Sequence, residues 1–146
     1  LAWGSTSLML ALRQGHTLSE LPDRRILAAG GAAQSLVAEI YDPESGEWES
    51  TGHNAIIRQA HAVATLLDGS VLLVGGRSSF RQLSSGEIYN PEGGSWSGIA
   101  TMARRRMGHT VTLLDDGRAL AVGGISFSGS GPPDVHRSAE IFDATR

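Results

Sequence analysis

The sequence predicts an all-β chain made of one four-stranded antiparallel unit repeated three times. Three observations predict it. Glycine supplies 19 of the 146 residues, against a usual share of roughly 7%, and follows no G-X-Y period, so the excess belongs to tight turns. A set of landmark residues recurs at constant spacing along the chain. No window shows a 3.6-residue apolar period with caps, so helices are expected to be scarce.

The landmarks follow one another in a fixed order. Each copy opens with an arginine three residues before a histidine: Arg13 and His16, Arg58 and His61, Arg106 and His109. A double glycine begins 14 residues after each histidine, as Gly30 and Gly31, Gly75 and Gly76, Gly123 and Gly124. An acidic, apolar, aromatic triplet comes next: Glu39-Ile40-Tyr41, Glu87-Ile88-Tyr89 and Glu140-Ile141-Phe142. Trp48 and Trp96 lie 7 residues after their tyrosines and 13 before the next histidine. Trp3 stands 13 before His16 and is read as the tryptophan of a preceding unit. Only the interval from the second glycine to the glutamate varies, at 8, 11 and 16 residues, which marks a surface loop.

Local chemistry accounts for each strand. The segment after the histidine runs into Leu66-Leu67-Asp68-Gly69-Ser70 or Leu114-Asp115-Asp116-Gly117-Arg118. Asp-Gly between apolar runs predicts a tight primed hairpin turn, because glycine takes positive φ freely. The first copy reads Pro22-Asp23-Arg24, and arginine adopts that conformation only at a cost, so its turn is expected to differ in type. The second strands, Ile26–Ala29, Val71–Val74 and Ala119–Val122, are wholly apolar and need cover on both faces, as in sheets stacked face to face. The double glycine after them suits a place where neighbouring backbone comes too close for a Cβ. Asp42-Pro43 and Asn90-Pro91 end the third strand, and Ser45-Gly46 or Gly93-Gly94 turns into the tryptophan strand. The count is one strand around Trp3, then four, four and three, or 12 in all.

Composition narrows the function classes. The net charge of −3 gives no general attraction to nucleic acid or anionic lipid. The absence of cysteine removes disulfides, thiolate metal sites and thiol nucleophiles, and leaves the compartment open. The apolar run 8–12 is too short to span a bilayer.

A double glycine closing the second strand, then a tyrosine, then a tryptophan in the fourth strand resemble the kelch repeat, from Trp3 to Phe142. The likeness is to the bacterial form, with His-Thr at the start and Glu before the aromatic. Phe142 in place of Tyr and Ala60 in place of Gly are departures. No tryptophan is followed by Asp, which sets WD repeats aside. The resemblance implies a segment of a kelch-type β-propeller, akin to the central propeller of galactose oxidase-type proteins. It is read as one segment, 1–146, with repeat cores at about 13–57, 58–103 and 104–146, and with 1–12 as the last strand and following loop of a preceding blade. Three blades are fewer than the 4 to 8 of an ordinary ring. A partial ring is therefore expected, with truncation of a longer product favoured as its origin, or a homodimer completing six blades.

The repeated residues are read as structural. His16, His61 and His109 are related by rotation about the ring and are expected to satisfy backbone groups rather than hold metal. Glu39, Glu87 and Glu140 are expected to pair with Arg13, Arg58 and Arg106, since an apolar stack accepts a carboxylate only if it is compensated. Trp3, Trp48 and Trp96 are expected to pack. Candidate binding residues are those the repeat does not explain. The variable loops 32–37, 77–85 and 125–137 and the linker before the third histidine should share one face, bringing together Arg77, Phe80, Arg81, Arg104, Arg105, Phe127 and His136. Exposed Phe beside Arg suits a protein or peptide partner. The favoured reading is a non-enzymatic scaffold with no cofactor or metal. The alternative is part of a carbohydrate-active propeller enzyme, galactose oxidase-like or sialic-acid epimerase-like, although no non-repeated set of acid, base and nucleophile is found.

Overall fold

The computed structural model describes residues 2–31, 36–79 and 81–145. Among them there is no helix, and the strands gather into antiparallel blades. Blade A is β1 (Thr17–Glu20), β2 (Ile26–Ala29), β3 (Val37–Asp42) and β4 (Glu47–His53), paired in that order. Blade B is β5 (Ala62–Thr65), β6 (Val71–Val74), β9 (Gly86–Asn90) and β10 (Ser95–Ile99). Between β6 and β9 rises a hairpin of β7 (Arg77–Ser78) and β8 (Arg81–Gln82). Blade C is β11 (Thr110–Leu113), β12 (Ala119–Val122) and β15 (Ala139–Phe142), with a hairpin of β13 (Ile125–Ser126) and β14 (Asp134–Val135) before the last strand. The two longer variable intervals therefore hold hairpins where open loops were expected.

The strand expected around Trp3 is not formed: residues 2–12 lie in no strand, and Trp3 is fully exposed. The expected 12 strands reduce to the 11 of blades A to C plus the two small hairpins, and the expectation that Trp3 packs is corrected with it. The reason is visible in the register. Trp48 lies opposite Tyr41 and Trp96 opposite Tyr89, with ring centroids 5.1 and 5.0 Å apart. Trp3 has no third strand beside it to pair with.

The blades stack through their second and third strands. Leu27, Ala29 and Ile40 of blade A meet Val71, Leu73 and Tyr89 of blade B, with Trp96 against them. Leu72 and Val74 carry the stack on to Ala119 of blade C. Every residue of β6, in the middle of the arc, is buried, whereas Val122 on β12 of the end blade is exposed. The outer face of β12 thus lacks its second cover, whereas Leu27, Ala28 and Ala29 of β2 are buried although blade A has a blade on one side only.

The turn between the first two strands is the same in all three blades. Leu66 N donates to Ser70 O and Gly69 N to Leu66 O, at 2.8 and 3.0 Å, and Leu114 to Arg118 repeats the pattern. Leu67 and Asp68 keep negative φ while Gly69 is at +82°, so this is a type I turn closed by a left-handed bulge residue, not the primed turn expected. Arg24 takes the glycine position at φ 69°, with Leu21 N to Arg25 O and Arg24 N to Leu21 O at 2.8 and 2.9 Å. The expectation that this turn differs is therefore overturned. Asp23 Oδ1 accepts from Arg25 N at 3.1 Å, as Asp68 does from Ser70 N, and holds the loop shape against the strain at Arg24. Arg24→Gly is expected to raise stability by about 1 kcal/mol, read as a higher Tm. An unchanged or lower Tm would show that the strain is relieved in some other way.

Candidate functional site

The loops that join blade to blade and second strand to third lie at one end of the blades, and the buried ion pairs hold them there. Arg13 Nη2 meets Glu39 Oε1 at 2.6 Å, Arg58 Nη2 meets Glu87 Oε1 at 2.7 Å, and Arg106 Nη2 meets Glu140 Oε1 at 2.9 Å. The expected pairing is present in every blade. Each arginine also donates to the carbonyl of the first glycine of the pair: Arg13 Nη1 to Gly30 O, Arg58 Nη1 to Gly75 O, Arg106 Nη1 to Gly123 O, at 2.7 to 2.9 Å. Each glutamate accepts from linker backbone, as Glu87 does from Ala55 N and Glu140 from Ala103 N, both at 2.6 Å. One ion pair thus ties the linker, the end of the second strand and the start of the third.

That lock positions Arg104 and Arg105. Arg104 N donates to Glu140 Oε1 at 3.2 Å, and Arg105 O is 3.1 Å from His136 Nε2, so the linker backbone is fixed while both arginine side chains stay exposed. Burial alone would raise the Glu140 carboxyl, but the N–H groups of Ala103 and Arg104 and the Arg106 guanidinium outweigh it and hold the carboxyl below its ordinary range.

The hairpins stand on the same end. Arg77 and Gln59 exchange both backbone bonds, Arg77 N to Gln59 O at 2.8 Å and Gln59 N to Arg77 O at 2.9 Å, and Met107 and Ile125 do likewise in blade C. Ser79 at φ 51° opens the two-residue loop of the first hairpin, the hand that primed turns need. Arg77 and Arg81 are exposed on it. Phe127 is 43% exposed, and its N–H donates to Gln82 Oε1 at 3.3 Å, so the hairpins of blades B and C touch. Phe80 and part of the loop 32–37 lie outside the described residues.

Of the expected face residues, Arg77, Arg81, Arg104, Arg105 and Phe127 are exposed, and the bond from Phe127 N to Gln82 joins the two hairpins that carry three of them. His136 differs: it is buried, turned in toward Arg105 O, and buttresses the face from beneath. Gln82 joins them through its bond from Phe127 N, and exposed Arg137 follows His136. Nothing but their place in the variable intervals could have pointed to them, because the contact from Phe127 depends on how two hairpins lean.

The repeated histidines make fewer bonds than expected. His61 Nε2 and Thr17 Oγ1 of the preceding blade are 2.7 Å apart, a hydroxyl partner where backbone was expected. His61 Nδ1 and both ring nitrogens of His109 are buried with no hydrogen-bond partner among the described residues. Burial, helped by Arg58, pushes His61 down to about 3. Burial and Arg106 bring His109 to about 4, against the pull of Glu140. The rings serve as packing: a Cβ on Gly30 would lie 2.5 Å from His61 Cε1, and one on Gly75 2.6 Å from His109 Cε1. This is the close approach that the double glycine signals. Among the described residues, no three His, Asp or Glu side chains are grouped so as to hold a metal ion.

Residues 60–103, which are blade B with its linker, match the family model described as the Kelch motif. That segment is similar to a kelch repeat. Blades A and C repeat the Arg, His and Gly-Gly spacing of the matched segment, each followed by a Glu at a variable interval. Comparison with curated proteins gives no match.

Proposed function

We propose that this kelch segment is a non-enzymatic scaffold whose loop face binds an acidic segment of a protein or peptide. The observation that carries the reading is the segregation of charge between the two ends of the blades. The loop end presents Arg77, Arg81, Arg104, Arg105 and Arg137, with Asp134 as the carboxylate among them. The opposite end, where the short turns lie, holds Glu20, Asp23, Glu44, Glu47, Asp68, Glu92, Asp115 and Asp116, with Arg24, Arg25 and Arg118 among them. A chain of net charge −3 thus offers a basic face, which steers an acidic ligand to that end and repels it from the other. Phe127 beside these guanidiniums supplies an apolar anchor, and planar guanidinium groups can each grip a carboxylate through two bonds.

Display selection from a random peptide library tests the reading. Asp- and Glu-rich peptides are expected to be selected. Arg81→Ala is expected to weaken the best of them about tenfold, while Arg118→Ala at the other end leaves the affinity unchanged. Raising the salt should lower the affinity further. Selected peptides without acidic enrichment, or equal loss at both arginines, would refute the reading.

A further inference from the structure

His136 belongs to no repeated set, yet it is buried at a place the repeat does define. Its N–H donates to Gly124 O at 2.9 Å, as Leu83 N does to Gly76 O at 2.8 Å in blade B. A titratable side chain therefore stands in blade C where blade B has a leucine. Its two ring nitrogens meet two different groups. Nε2 lies 3.1 Å from Arg105 O on the linker, and Nδ1 lies 3.8 Å from Asp134 Oδ2 on β14.

These two contacts assign the protons. A carbonyl has no hydrogen to give, so Nε2 carries one and donates it to Arg105 O. In the neutral ring Nδ1 is then bare, with its lone pair turned toward the Asp134 carboxylate. Two acceptors repel, and their separation is longer than a hydrogen bond. A second proton lands on Nδ1, directly opposite that carboxylate, and closes the gap to about 2.8 Å as a charge-assisted bond. Histidine is the side chain that ordinarily changes charge between about pH 5 and 8.

The other charges around the ring are accounted for. On the linker, Arg106 is held by Glu140 of β15 at 2.9 Å, so that pair carries no net charge. The side chains of Arg104, Arg105 and Arg137 are exposed. On the hairpin the charge is Asp134 itself, whose side chain is 58% exposed. Asp134 pairs in register with Ser126, which precedes Phe127, and one imidazole joins it to the linker of Arg104 and Arg105. This carboxylate thus stands beside the segments that carry the apolar anchor and two of the guanidiniums.

We propose that Asp134 is a built-in competitor for the acidic-ligand face and that protonation of His136 withdraws it. The proposal rests on the reading of that face given above. With a neutral ring, Asp134 is left among the arginines and lowers the positive charge offered to a ligand. With a charged ring, Asp134 turns inward onto Nδ1–H, and the base of the hairpin that carries Phe127 is tied to the linker. The face gains one positive charge in the exchange. An acidic peptide then binds more tightly as pH falls, and by reciprocity its binding draws a proton onto His136.

The test uses the whole chain and an Asp- and Glu-rich peptide from the display selection. Its affinity is expected to rise about fivefold from about pH 8 to about pH 5.5. Asp134→Asn is expected to bind at the higher pH as tightly as the parent does at the lower, with no change between. His136→Gln, whose side-chain amide can still donate to Arg105 O, is expected to keep the weaker affinity at both. A parent without pH dependence, or a dependence that persists in either variant, overturns the proposal. The ring itself is read without peptide, from the nitrogen-15 signals of His136 in the free chain. They are expected to show Nε2–H with a bare Nδ1 at the higher pH and both nitrogens protonated at the lower. A proton on Nδ1 at the higher pH, or a ring indifferent to pH, overturns the switch whether or not a peptide binds. If the ring behaves as stated but no acidic peptide is selected, the reading of the face fails instead, and Asp134 has nothing to compete with.

Discussion

Glu87→Ala is expected to cost about 3–5 kcal/mol of stability, because it strips the carboxylate from a guanidinium that has no access to solvent. Arg58 is fully buried and Glu87 nearly so. Without Glu87, Arg58 keeps its bonds to Gly75 O and Ser85 O at 2.9 and 3.0 Å, but it holds an uncompensated charge, and Ala55 N loses its acceptor. Since whole domains are stable by only about 5–15 kcal/mol, the loss should appear as a large fall in Tm or a chain that unfolds at room temperature. Glu140→Ala should cost less. Its carboxylate is 22% exposed, and water can reach the Arg106 end of the pair once it is gone. The comparison separates a buried-charge effect from mere loss of contacts, because Glu140 makes more bonds than Glu87, accepting also from Arg104 N and Arg106 Nε, yet is the more exposed of the two. Equal small losses at the two positions would mean that the ion pairs are not what locks the blades. Arg58→Ala with Glu87→Ala should recover part of the cost of either single change, since neither charge is then left alone.

These pairs also mark how far the sequence could be read. The partnership of Arg58 with Glu87 follows from a repeated charge in an otherwise apolar strand, and electrostatics permits few alternatives. The strand ends at Asp42-Pro43 and Asn90-Pro91 follow equally, from the missing proline N–H. Arg24 was misread because residue preference was weighed alone. The carboxylate of Asp23 and two backbone bonds hold the turn in the shape of its siblings, and local propensity yields to them. Trp3 was misread for a different reason. Spacing identifies the kind of residue it is, but packing needs a neighbour, and no spacing within one chain says which strand stands beside it. The loop face was legible in outline, as the end where variable intervals gather. The inward turn of His136 and the hold of Gln82 on Phe127 N were not, because they depend on how two hairpins lean together.

Acid should destabilise the chain well above the range where carboxylates titrate, and His61 is the main reason. In the unfolded chain a histidine takes up a proton near pH 6.5, whereas buried His61 stays neutral until about pH 3. Between those values the unfolded state binds more protons, so stability rises with pH across the window, is complete above about 6.5, and is lost as pH falls toward 3. At pH 5 the loss from His61 alone is about 2 kcal/mol relative to pH 7.5, and His109, with its proton uptake held down to about 4, adds to it in the same direction. The neighbours explain why the ring cannot simply accept the charge. Arg58 lies close by, His16 and His109 would add like charge, and the buried ring sits against Gly30. Urea unfolding of the parent and of His61→Gln at pH 7.5 and pH 5 measures the effect. The parent should lose more stability than the variant by roughly the amount assigned to His61, even if the variant is less stable at both pH values because Thr17 loses its partner and the junction its fit. Parallel losses in the two proteins would mean that His61 accepts its proton in the folded chain, and that the junction between blades A and B is wetter than its packing implies.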